Sequence, residues 1–416
     1  MKEGNEFANA NVEELYKKHR LSLDNEIKSL DFSGMRDEDF ESFAGSITER
    51  LGIDADAVIG SKGYVLNDSA VKLISVKGGH LDQAKMHMEK AFAGIIEKHV
   101  GRRLLIKTEN GEKKKVAIVF ANMNAPLVSQ TEVNVGEGSE LQLFEVFVSK
   151  STMSSLNLSA HNVEVRKGGA LEMDVLHNED GYTTAAHFGE FVLREHAGAK
   201  INIVYEGGKS AVAGNTVEAA GYGSHSELNS TLISSGEQRF DIMDMLVNAV
   251  AGTSCLGETK SILMDKSLNF VKDMAVIAPK SIGSRSYIKE RAILLGKDAR
   301  ASLLPDMSIS ENDVKASHSA AAAPIDKEAI FYLMAKGMNE RDATNLVATG
   351  FIDDIIGRVS DGSAKAIIMS HVNEKLKSGR FGELLENNLR GIWEERPGAA
   401  PSLFEGGAKY SKESLN

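Results

Sequence analysis

The stretch TEVNVGEGSELQLF at residues 131–144 joins two runs of alternating apolar and polar residues through a glycine turn. Similar stretches follow at 162–175 (NVEVRKGGALEMDV) and at 191–204 (FVLREHAGAKINIV). Alternation points every second side chain inward along a strand, and glycine tolerates the positive φ angle that a tight turn requires. Each stretch therefore predicts a strand, a turn and a second strand.

The turn glycines of these stretches recur at a constant interval. Gly138, Gly168 and Gly198 are 30 residues apart. Such regular repetition is typical of a stacked array in which each unit buries one face on the next. A β-sandwich would also have short strands and glycine turns, but it does not predict an equal register. We therefore predict a parallel β-helix, whose repeat is least regular after Gly223.

Helical periodicity flanks the repeat region and divides the chain into four predicted regions. These are an N-terminal helical or mixed region at 1–103, the β-helix core at 104–325, a C-terminal helical region at 326–396 and a disordered tail at 397–416. A first N-terminal helix is predicted to start near Asn11. In the C-terminal region, Asp326 can cap the first helix, Asn339 opens the second, and a third is predicted at about 361–379.

The composition excludes several classes of protein. The net charge of −11 at pH 7 would repel phosphates, so neither nucleic acid nor a membrane surface is an expected partner. No apolar run approaches the ~20 residues that span a bilayer, and the N-terminus lacks the apolar core of a secretion signal. The single cysteine, Cys255, excludes a disulfide framework and reads as a small buried hydrophobe. A cytoplasmic protein is expected.

The common catalytic motifs are absent from the sequence. Residues 252–259 (GTSCLGET) have P-loop spacing, but glutamate stands where the motif requires lysine and would repel phosphate, so no bound nucleotide is expected. The HExxH, GxSxG and CxxC patterns do not occur either. Four histidines of the repeat region are interpreted as solvated or core-edge side chains rather than metal ligands: His161, His177, His187 and His196.

Another histidine lies where the β-type pattern gives way to the helical one. His318 stands between small residues in ENDVKASHSAAAAPID at 311–326. If this stretch is a strand, His318 lies on one face while Asp313, Lys315 and Ser317 lie on the other. The stretch then contains no self-sufficient acid–base pair, and composition alone favours an ordinary turn histidine.

The run that begins at Asp313 resembles the signature of the SufB/SufD family of iron–sulfur cluster assembly proteins. That signature reads approximately DVKCSHGATxGxI/LD, then LFYLxSRGI, then a helix that ends in an aromatic residue. The matching positions are Asp313, Val314, Lys315, Ser317, His318, Ala320, Asp326, Phe331, Tyr332, Leu333, Gly337 and Phe351. The resemblance is clear over about 240–357, and the layout is compatible from about residue 100 onward.

The resemblance implies a right-handed parallel β-helix with helical ends. It also implies a scaffold or iron-delivery subunit that is not itself an enzyme and acts with a SufC-type ABC ATPase. In the family, the position of His318 lies at the SufB–SufD interface, which makes His318 a candidate ligand for iron or an iron–sulfur cluster shared transiently with a partner. Asp313, Lys315 and Ser317 are interface candidates near it.

The resemblance further places the ATPase-docking region on the C-terminal helices. The candidate residues of that region are Phe331, Tyr332, Leu346 and Phe351. An apolar stripe on a helix is more often core than partner surface. We therefore predict that these side chains pack inside the helical region and position the docking surface, rather than contacting the ATPase themselves.

The chain departs from the family at its cysteines. Ala299 stands where SufB-type scaffolds have the proposed cluster-assembly cysteine, and Ala316 stands where SufD often has one. The glycine after the signature histidine has become Ser319. The chain is therefore more SufD-like, and it cannot hold a thiolate-ligated cluster near His318 by itself. Cys255 is a fallback metal ligand, more than sixty residues upstream.

The partner and two other functions are left open. The partner is either a SufB/SufD paralogue or a second copy of the chain, which would pair two His318 side chains across a two-fold axis. A β-helix interaction scaffold without cluster chemistry is the first alternative. A polysaccharide-acting β-helix enzyme is less favoured, because the single tryptophan, Trp393, lies outside the repeat region.

Overall fold

The computed structural model describes residues 45–60, 64–67, 71–75, 90–100, 102–123 and 125–378. The strands are β1 (Ala57–Ile59), β2 (Tyr64–Leu66), β3 (Val71–Ser75), β4 (Arg102–Lys107), β5 (Lys113–Met123), β6 (Leu127–Val135), β7 (Glu140–Lys150), β8 (Ser155–Val165), β9 (Ala170–Asn178), β10 (Thr183–Leu193), β11 (Gly198–Tyr205), β12 (Ser210–Ala219), β13 (His225–Ser234), β14 (Arg239–Asn248), β15 (Ser254–Leu263), β16 (Leu268–Val271), β17 (Met274–Ile277), β18 (Arg285–Leu294), β19 (Arg300–Leu303), β20 (Asp306–Ile309) and β21 (Lys315–Pro324). The helices are α1 (45–51), α2 (Lys90–His99), α3 (Lys327–Ala335), α4 (Glu340–Ile356) and α5 (Gly362–Ser378). The helix predicted near Asn11 and the tail predicted at 397–416 lie outside the described residues.

Consecutive strands alternate between two sheets, so that two strands make one turn of a solenoid. Sheet A has the order β2-β1-β5-β7-β9-β11-β13-β15-β18-β21. Sheet B has the order β19-β16-β14-β12-β10-β8-β6-β4-β3, and β17 and β20 extend it beside β14. Only the β1–β2 and β3–β4 pairs are antiparallel among the described pairings. The result is a parallel β-solenoid of about eight turns, which confirms the predicted β-helix.

Neighbouring turns stack in register at an interval close to the predicted one. Glu140 pairs with Ala170, Ala170 with Gly198, and Gly198 with His225, so the intervals are 30, 28 and 27 residues. The stacking continues through β15, β18 and β21, beyond Gly223 where the sequence pattern blurs. The solenoid therefore tolerates turns of unequal length.

The prediction that glycine occupies each turn is right at two of the three positions. Gly138 and Gly168 both have a φ of 62°. At the next turn the residue with positive φ is His196, at 53°, while Gly198 already begins β11. The third turn position was therefore placed two residues too late, because that turn of the solenoid is shorter than its predecessor.

Apolar side chains from the inner faces of both sheets fill the lumen. Alternation along each strand supplies them at every second position. Members of this core include Ile118, Phe120, Leu143, Phe147, Val163, Met173, Phe191, Ile201, Tyr205 and Phe240. Full burial of one such side chain stabilises the fold by roughly 1.5–3 kcal/mol.

The outer faces of the two sheets are covered by helices. On sheet B, Phe92 and Ile96 of α2 pack against a cluster that includes Phe188, and the Phe92 and Phe188 ring centroids are 5.3 Å apart. On sheet A, α4 and α5 contribute Ile352 and Ile368 to a second apolar cluster. These strands are therefore buried on both faces, by the lumen core on the inner face and by a helix on the outer face.

The C-terminal helices begin and end as the sequence predicts. The side chain of Asp326 accepts hydrogen bonds from the backbone N–H groups of Glu328 and Ala329, and that of Asn339 accepts from Asp342 N–H. The third helix is α5, close to the predicted 361–379. Within the described residues, no helix combines the length and apolar character needed to cross a membrane.

Candidate functional site at the open end of the solenoid

Among the residues that the structure describes, β21 ends the solenoid and no element covers this last turn, which we call the open end. β21 is the last strand of sheet A, and the only strand that pairs with it in the described part of the chain is β18. The backbone N–H and C=O groups on its other edge therefore have no strand partner there. Such an edge is a template for pairing with another chain.

His318 lies on β21 at this open end. It pairs with Ile288, whose side chain belongs to the lumen core, so alternation places His318 on the lumen side of the strand. His318 is exposed because no later turn in the described residues covers it. Ala316 and Ala320, two positions away on either side, share this face and leave open space around the imidazole.

The three predicted neighbours of His318 do not surround it on this face. Lys315 and Ser317 occupy the alternate positions of β21 and belong to the outer face. Asp313 lies in the turn before β21, where its backbone carbonyl accepts a hydrogen bond from Gly283 N–H at 2.7 Å. These residues line the approach to the open end rather than the imidazole itself.

Cys255 is closer to His318 than its sequence position indicates. It lies on the inner face of β15 and pairs with Ser286, which in turn pairs with Ala316. Strand spacing then puts the Cα atoms of Cys255 and His318 roughly 12 Å apart. The thiol is buried, and burial raises its pKa to about 11, so it is protonated at neutral pH. A protonated, enclosed thiol is a poor metal ligand.

The family cysteine positions hold only methyl groups in this chain. Ala299 is buried against Leu263 and Ala292, and Ala316 lies beside His318 on β21. Across the described ranges, no three His, Cys, Asp or Glu side chains gather where they could hold a metal ion. The residues near His318 can therefore supply only part of a coordination sphere.

Three buried carboxyl groups lie in the lumen leading to the open end, and sequence reasoning missed them. Asp244 Oδ2 accepts a hydrogen bond from the Ser230 hydroxyl at 3.0 Å, and Asp273 Oδ2 accepts one from the Thr259 hydroxyl at 2.8 Å. Glu290 Oε1 accepts a hydrogen bond from Asp273 N–H at 3.0 Å. Together they form the lumen carboxyl file.

Burial dominates the electrostatics of this file. It raises the pKa of Glu290 to about 8, raises that of Asp273 well above its ordinary range and raises that of Asp244. Asp273 Oδ1 and Glu290 Oε2 are buried without a hydrogen-bond partner. The sequence did contain a signal for Glu290. Apolar and polar residues alternate along β18, and Glu290 occupies an inward position between Ile288 and Ala292, where a charged residue is unusual.

His161, His177 and His187 are buried, which corrects their interpretation as solvated or core-edge side chains, whereas His196 is exposed as predicted. His161 Nε2 lies 2.9 Å from Glu145 Oε2, and His177 Nδ1 lies 3.0 Å from Glu179 Oε1. His187 stacks on His161 with ring centroids 4.8 Å apart, and burial holds the pKa of His187 well below its ordinary value. A carboxylate or hydroxyl oxygen contacts one nitrogen of each of these rings, and neighbouring rings stack on them, which lets the imidazoles fit in the lumen.

The C-terminal aromatic residues divide between surface and core. Phe331, Tyr332 and Leu346 are 51%, 62% and 51% exposed, so the prediction that they pack inside the helical region is wrong. Phe351 is the exception, because it packs on the outer face of sheet A with Lys260 Nζ 5.1 Å from its ring centroid. Other side chains of α3 and α4 are buried, whereas these three face the solvent.

A cleft of about 1230 Å³ lies away from His318 between α5 and the solenoid. His371 Nδ1 is 2.8 Å from Asn178 Nδ2, and Lys375 Nζ donates to Gln238 Oε1 at 2.8 Å. Glu206 lies 3.3 Å from His371 Nδ1. These contacts attach α5 to the solenoid.

Comparison with known proteins identifies the family of this chain. Residues 118–351 match the family described as "SUF system FeS cluster assembly, SufBD core domain". The chain is 23% identical to SufD of Escherichia coli K12 over 247 residues, which are 59% of this chain and 58% of that protein. It is 21% identical to SufD of Bacillus subtilis 168 over 166 residues (40% and 38%) and 28% identical to a SufBD family protein of Pyrococcus horikoshii over 149 residues (36% and 33%).

These alignments span less than two thirds of each relative. The SufBD core match nevertheless covers more than half of the chain and includes the strands from β6 to β21. Both family cysteine positions are alanine, which separates the chain from SufB-type scaffolds. The chain is a SufD-like member of the SufB/SufD family.

Proposed function

We propose that the chain is a non-ATPase, SufD-like subunit of a SUF-type iron–sulfur cluster assembly complex. The observation that carries this proposal is the open end, where β21 presents an exposed His318 beside an unpaired strand edge. An imidazole can ligate iron, and a ligand at a strand edge can be combined with ligands from a second subunit. Iron or a cluster is then a transient cargo at a subunit boundary.

The free edge of β21 supports a partner that continues the sheet. Strand addition forms main-chain hydrogen bonds at an unpaired edge, and the small side chains of Ala316, Ser317 and Ser319 allow a second backbone to approach. A cysteine-bearing SufB-type paralogue would supply the thiolates that Ala299 and Ala316 do not. A second copy of this chain would instead bring a second His318.

The exposed side chains of Phe331, Tyr332 and Leu346 form the proposed docking patch for a SufC-type ATPase. Exposed aromatic and aliphatic side chains in one region mark interaction surfaces, and aromatic anchors contribute most of the binding energy in many interfaces. The patch is attached to the solenoid through α4, where Lys260 Nζ donates to Phe351 O at 2.7 Å. The ATPase would hydrolyse ATP, while this chain holds the cargo and the partner.

A scaffold without cluster chemistry is the competing function. It is favoured by the buried, protonated state of Cys255 and by the lack of a three-residue metal site among the residues the structure describes. Iron content separates the two functions, because a scaffold would form the same complex without metal. The decisive experiment therefore measures iron and partners together.

The first experiment is anaerobic affinity purification of the tagged full chain from its native cells. We expect an ABC-type ATPase, identified by mass, to co-purify with the chain together with iron and acid-labile sulfide. The variant His318→Ala should keep the ATPase and lose most of the iron. The matched control His225→Ala replaces an exposed histidine at the start of β13 and should keep both. Wild-type iron in His318→Ala, or a metal-free wild-type complex, would refute cluster chemistry at this histidine.

The docking patch has a separate test. The double variant Phe331→Ser and Tyr332→Ser should weaken ATPase binding by roughly 30-fold or more, because loss of anchor residues typically costs about 2 kcal/mol or more. Binding of the purified ATPase would be measured by titration calorimetry. The control Tyr222→Ser removes a side chain that is 62% exposed on a solenoid turn. Equal ATPase affinity for the double variant and this control would exclude the patch.

A further inference from the structure

Glu290 and His318 are diagonal neighbours on the lumen side of adjacent strands. Glu290 pairs with Ala320, and His318 pairs with Ile288, so the two residues are offset by two positions between β18 and β21. Strand spacing and residue rise put their Cα atoms roughly 8 Å apart. Glutamate and histidine side chains can both reach across this distance. In the described residues, β21 is the one strand between Glu290 and the open end. At the position that pairs with Glu290 it carries Ala320, whose side chain is a methyl group.

Glu290 has an unused ligand atom. Its side chain is 0% exposed, and Oε1 accepts the Asp273 N–H. The Leu304 N–H lies near the carboxyl group but donates to Val271 O, so Oε2 has no hydrogen-bond partner among the described residues. No Lys, Arg or His forms an ion pair with it within the described ranges. A buried carboxyl oxygen without a partner is unfavourable, so a fold that retains one invites a functional explanation.

Structural roles explain the rest of the file better than they explain Glu290. Asp244 receives hydrogen bonds from Asn215 and from the Ser230 hydroxyl, and Asp273 receives one from the Thr259 hydroxyl. The two hydroxyl contacts tie the aspartates to sheet A across the lumen. Glu290 receives no side-chain hydrogen bond, and it is the member of the file nearest the open end.

The ligand chemistry at this end is oxygen and nitrogen rather than sulfur. The family cysteine positions are alanine, and the Cys255 thiol is buried and protonated. Carboxylate and imidazole together are suitable ligands for divalent iron, whereas an iron–sulfur cluster is held mainly by thiolates. The side chains next to the open end therefore fit an incoming iron ion better than an assembled cluster.

We propose that Glu290 is a second ligand, with His318, for a divalent iron ion bound at the open end. This inference rests on the proposed function, because it places the iron cargo at the same histidine. The chain supplies one imidazole nitrogen and one carboxylate oxygen, whose proton is released as the metal binds, and a partner subunit or water supplies the remaining ligands. Two ligands from one chain agree with the lack of a three-residue site in the described residues.

The test is anaerobic titration of the purified complex of the full chain with Co²⁺, followed by its visible absorption. Co²⁺ reports divalent metal binding without redox chemistry. Loss of a partner that merely orients a ligand costs about 10- to 100-fold in affinity, so Glu290→Gln should weaken binding by at least about tenfold. His318→Ala should weaken it similarly. The double variant should be little worse than either, because both remove the same site.

Two further variants separate ligation from folding. Glu145→Gln changes another buried glutamate of sheet A and should bind Co²⁺ as the wild type does. Ala320→Ile leaves the Glu290 carboxyl group intact but places a larger side chain at the exposed position that pairs with it. If the ion bridges β18 and β21, this variant should also weaken Co²⁺ binding about tenfold or more. Ala320→Ile keeps the test decisive if Glu290→Gln does not fold.

The outcomes distinguish this inference from the proposed function. Weaker binding in His318→Ala with unchanged binding in both Glu290→Gln and Ala320→Ile would overturn the role of Glu290 and leave the histidine in place. Unchanged Co²⁺ binding in all variants would overturn both the role of Glu290 and the proposed metal binding at His318. Equal losses in Glu290→Gln and Glu145→Gln would show general damage to the lumen and also refute a specific ligand.

Discussion

The two halves of the lumen treat buried carboxyl groups differently. In the first half, Glu145 lies 2.9 Å from an imidazole of His161, and Glu179 lies 3.0 Å from that of His177. In the second half, the lumen carboxyl file of Asp244, Asp273 and Glu290 has only hydroxyl, amide and backbone partners among the described residues. The first half pairs its carboxyl groups with imidazoles, whereas the carboxyl groups of the second half have no imidazole or cationic partner among the described residues.

The outer face of sheet A shows the same contrast on a smaller scale. Glu258 contacts Arg358 and Lys289, and these cations hold its pKa below the ordinary value even though burial opposes them. Asp174 accepts a hydrogen bond from the neutral amide of Asn202, and burial raises its pKa to about 7. Burial alone therefore does not set the charge of a carboxyl group in this fold. The partner in the neighbouring turn decides it.

The largest expected effect comes from breaking a carboxylate–imidazole pair. The substitution His161→Leu leaves Glu145 buried without its partner, and it also removes the ring that stacks on His187. Removing one member of a buried pair typically costs about 3–5 kcal/mol, so we expect the free energy of unfolding to fall by about that much. Urea unfolding at pH 7 measures it. His225→Leu, at an exposed position, should change it by less than about 0.5 kcal/mol. Similar values for both variants would mean that the pair does not stabilise the lumen.

The next effect is a pH dependence of opposite sign at two carboxyl groups of the outer face. Asp174 has a folded pKa of about 7 against an ordinary value of 3.8, so its ionisation destabilises the fold as the pH rises between these values. Asp174→Asn should therefore be about as stable as the wild type near pH 4 and more stable at pH 8, by up to about 4 kcal/mol, because each pKa unit corresponds to about 1.4 kcal/mol. The charged groups near Asp174 are Glu172, Lys200 and Asp361.

Glu258→Gln provides the matched comparison on the same face. The folded pKa of Glu258 is lowered from 4.5, so its stabilising charge is present above that value and is lost as the pH falls. The variant should be less stable than the wild type at pH 7, and the difference should shrink below about pH 4. Melting temperatures at pH 4 to 8 measure both variants. A pH-independent difference for Asp174→Asn would contradict the neutral-partner explanation.

Much of the fold was predictable because it repeats. Alternating strands and the interval between Gly138 and Gly168 indicated stacked parallel turns, and the caps Asp326 and Asn339 fixed two helix starts. The error at Gly198 arose because stacking constrains the strands and leaves turn length free. The local sequence pattern therefore predicts the strands of the repeated unit better than it predicts the length of the turns between them.

The candidate site was less predictable because it depends on what lies across the lumen. Only the family resemblance singled out His318, since its own strand offers no partner on its face. Glu290 was missed because its inward direction matters only once β18 is known to lie next to the open end. The exposure of Phe331 and Tyr332 was missed because one helix can be apolar on more than one face, and periodicity does not say which face packs.

The smallest expected effect tests the unpaired half of the lumen. In Asp273→Asn, the amide oxygen can still accept the Thr259 hydroxyl hydrogen bond, and no cationic partner is lost in the described residues. Because burial raises the pKa of Asp273 well above its ordinary value, the folded carboxyl group is protonated at pH 4, where the unfolded chain is also partly protonated. The free energy of unfolding should therefore change by less than about 1 kcal/mol at pH 4. Urea unfolding beside His161→Leu measures this. A loss as large as that of His161→Leu would mean that Asp273 has a charged partner, and the two halves of the lumen would then be built on the same principle.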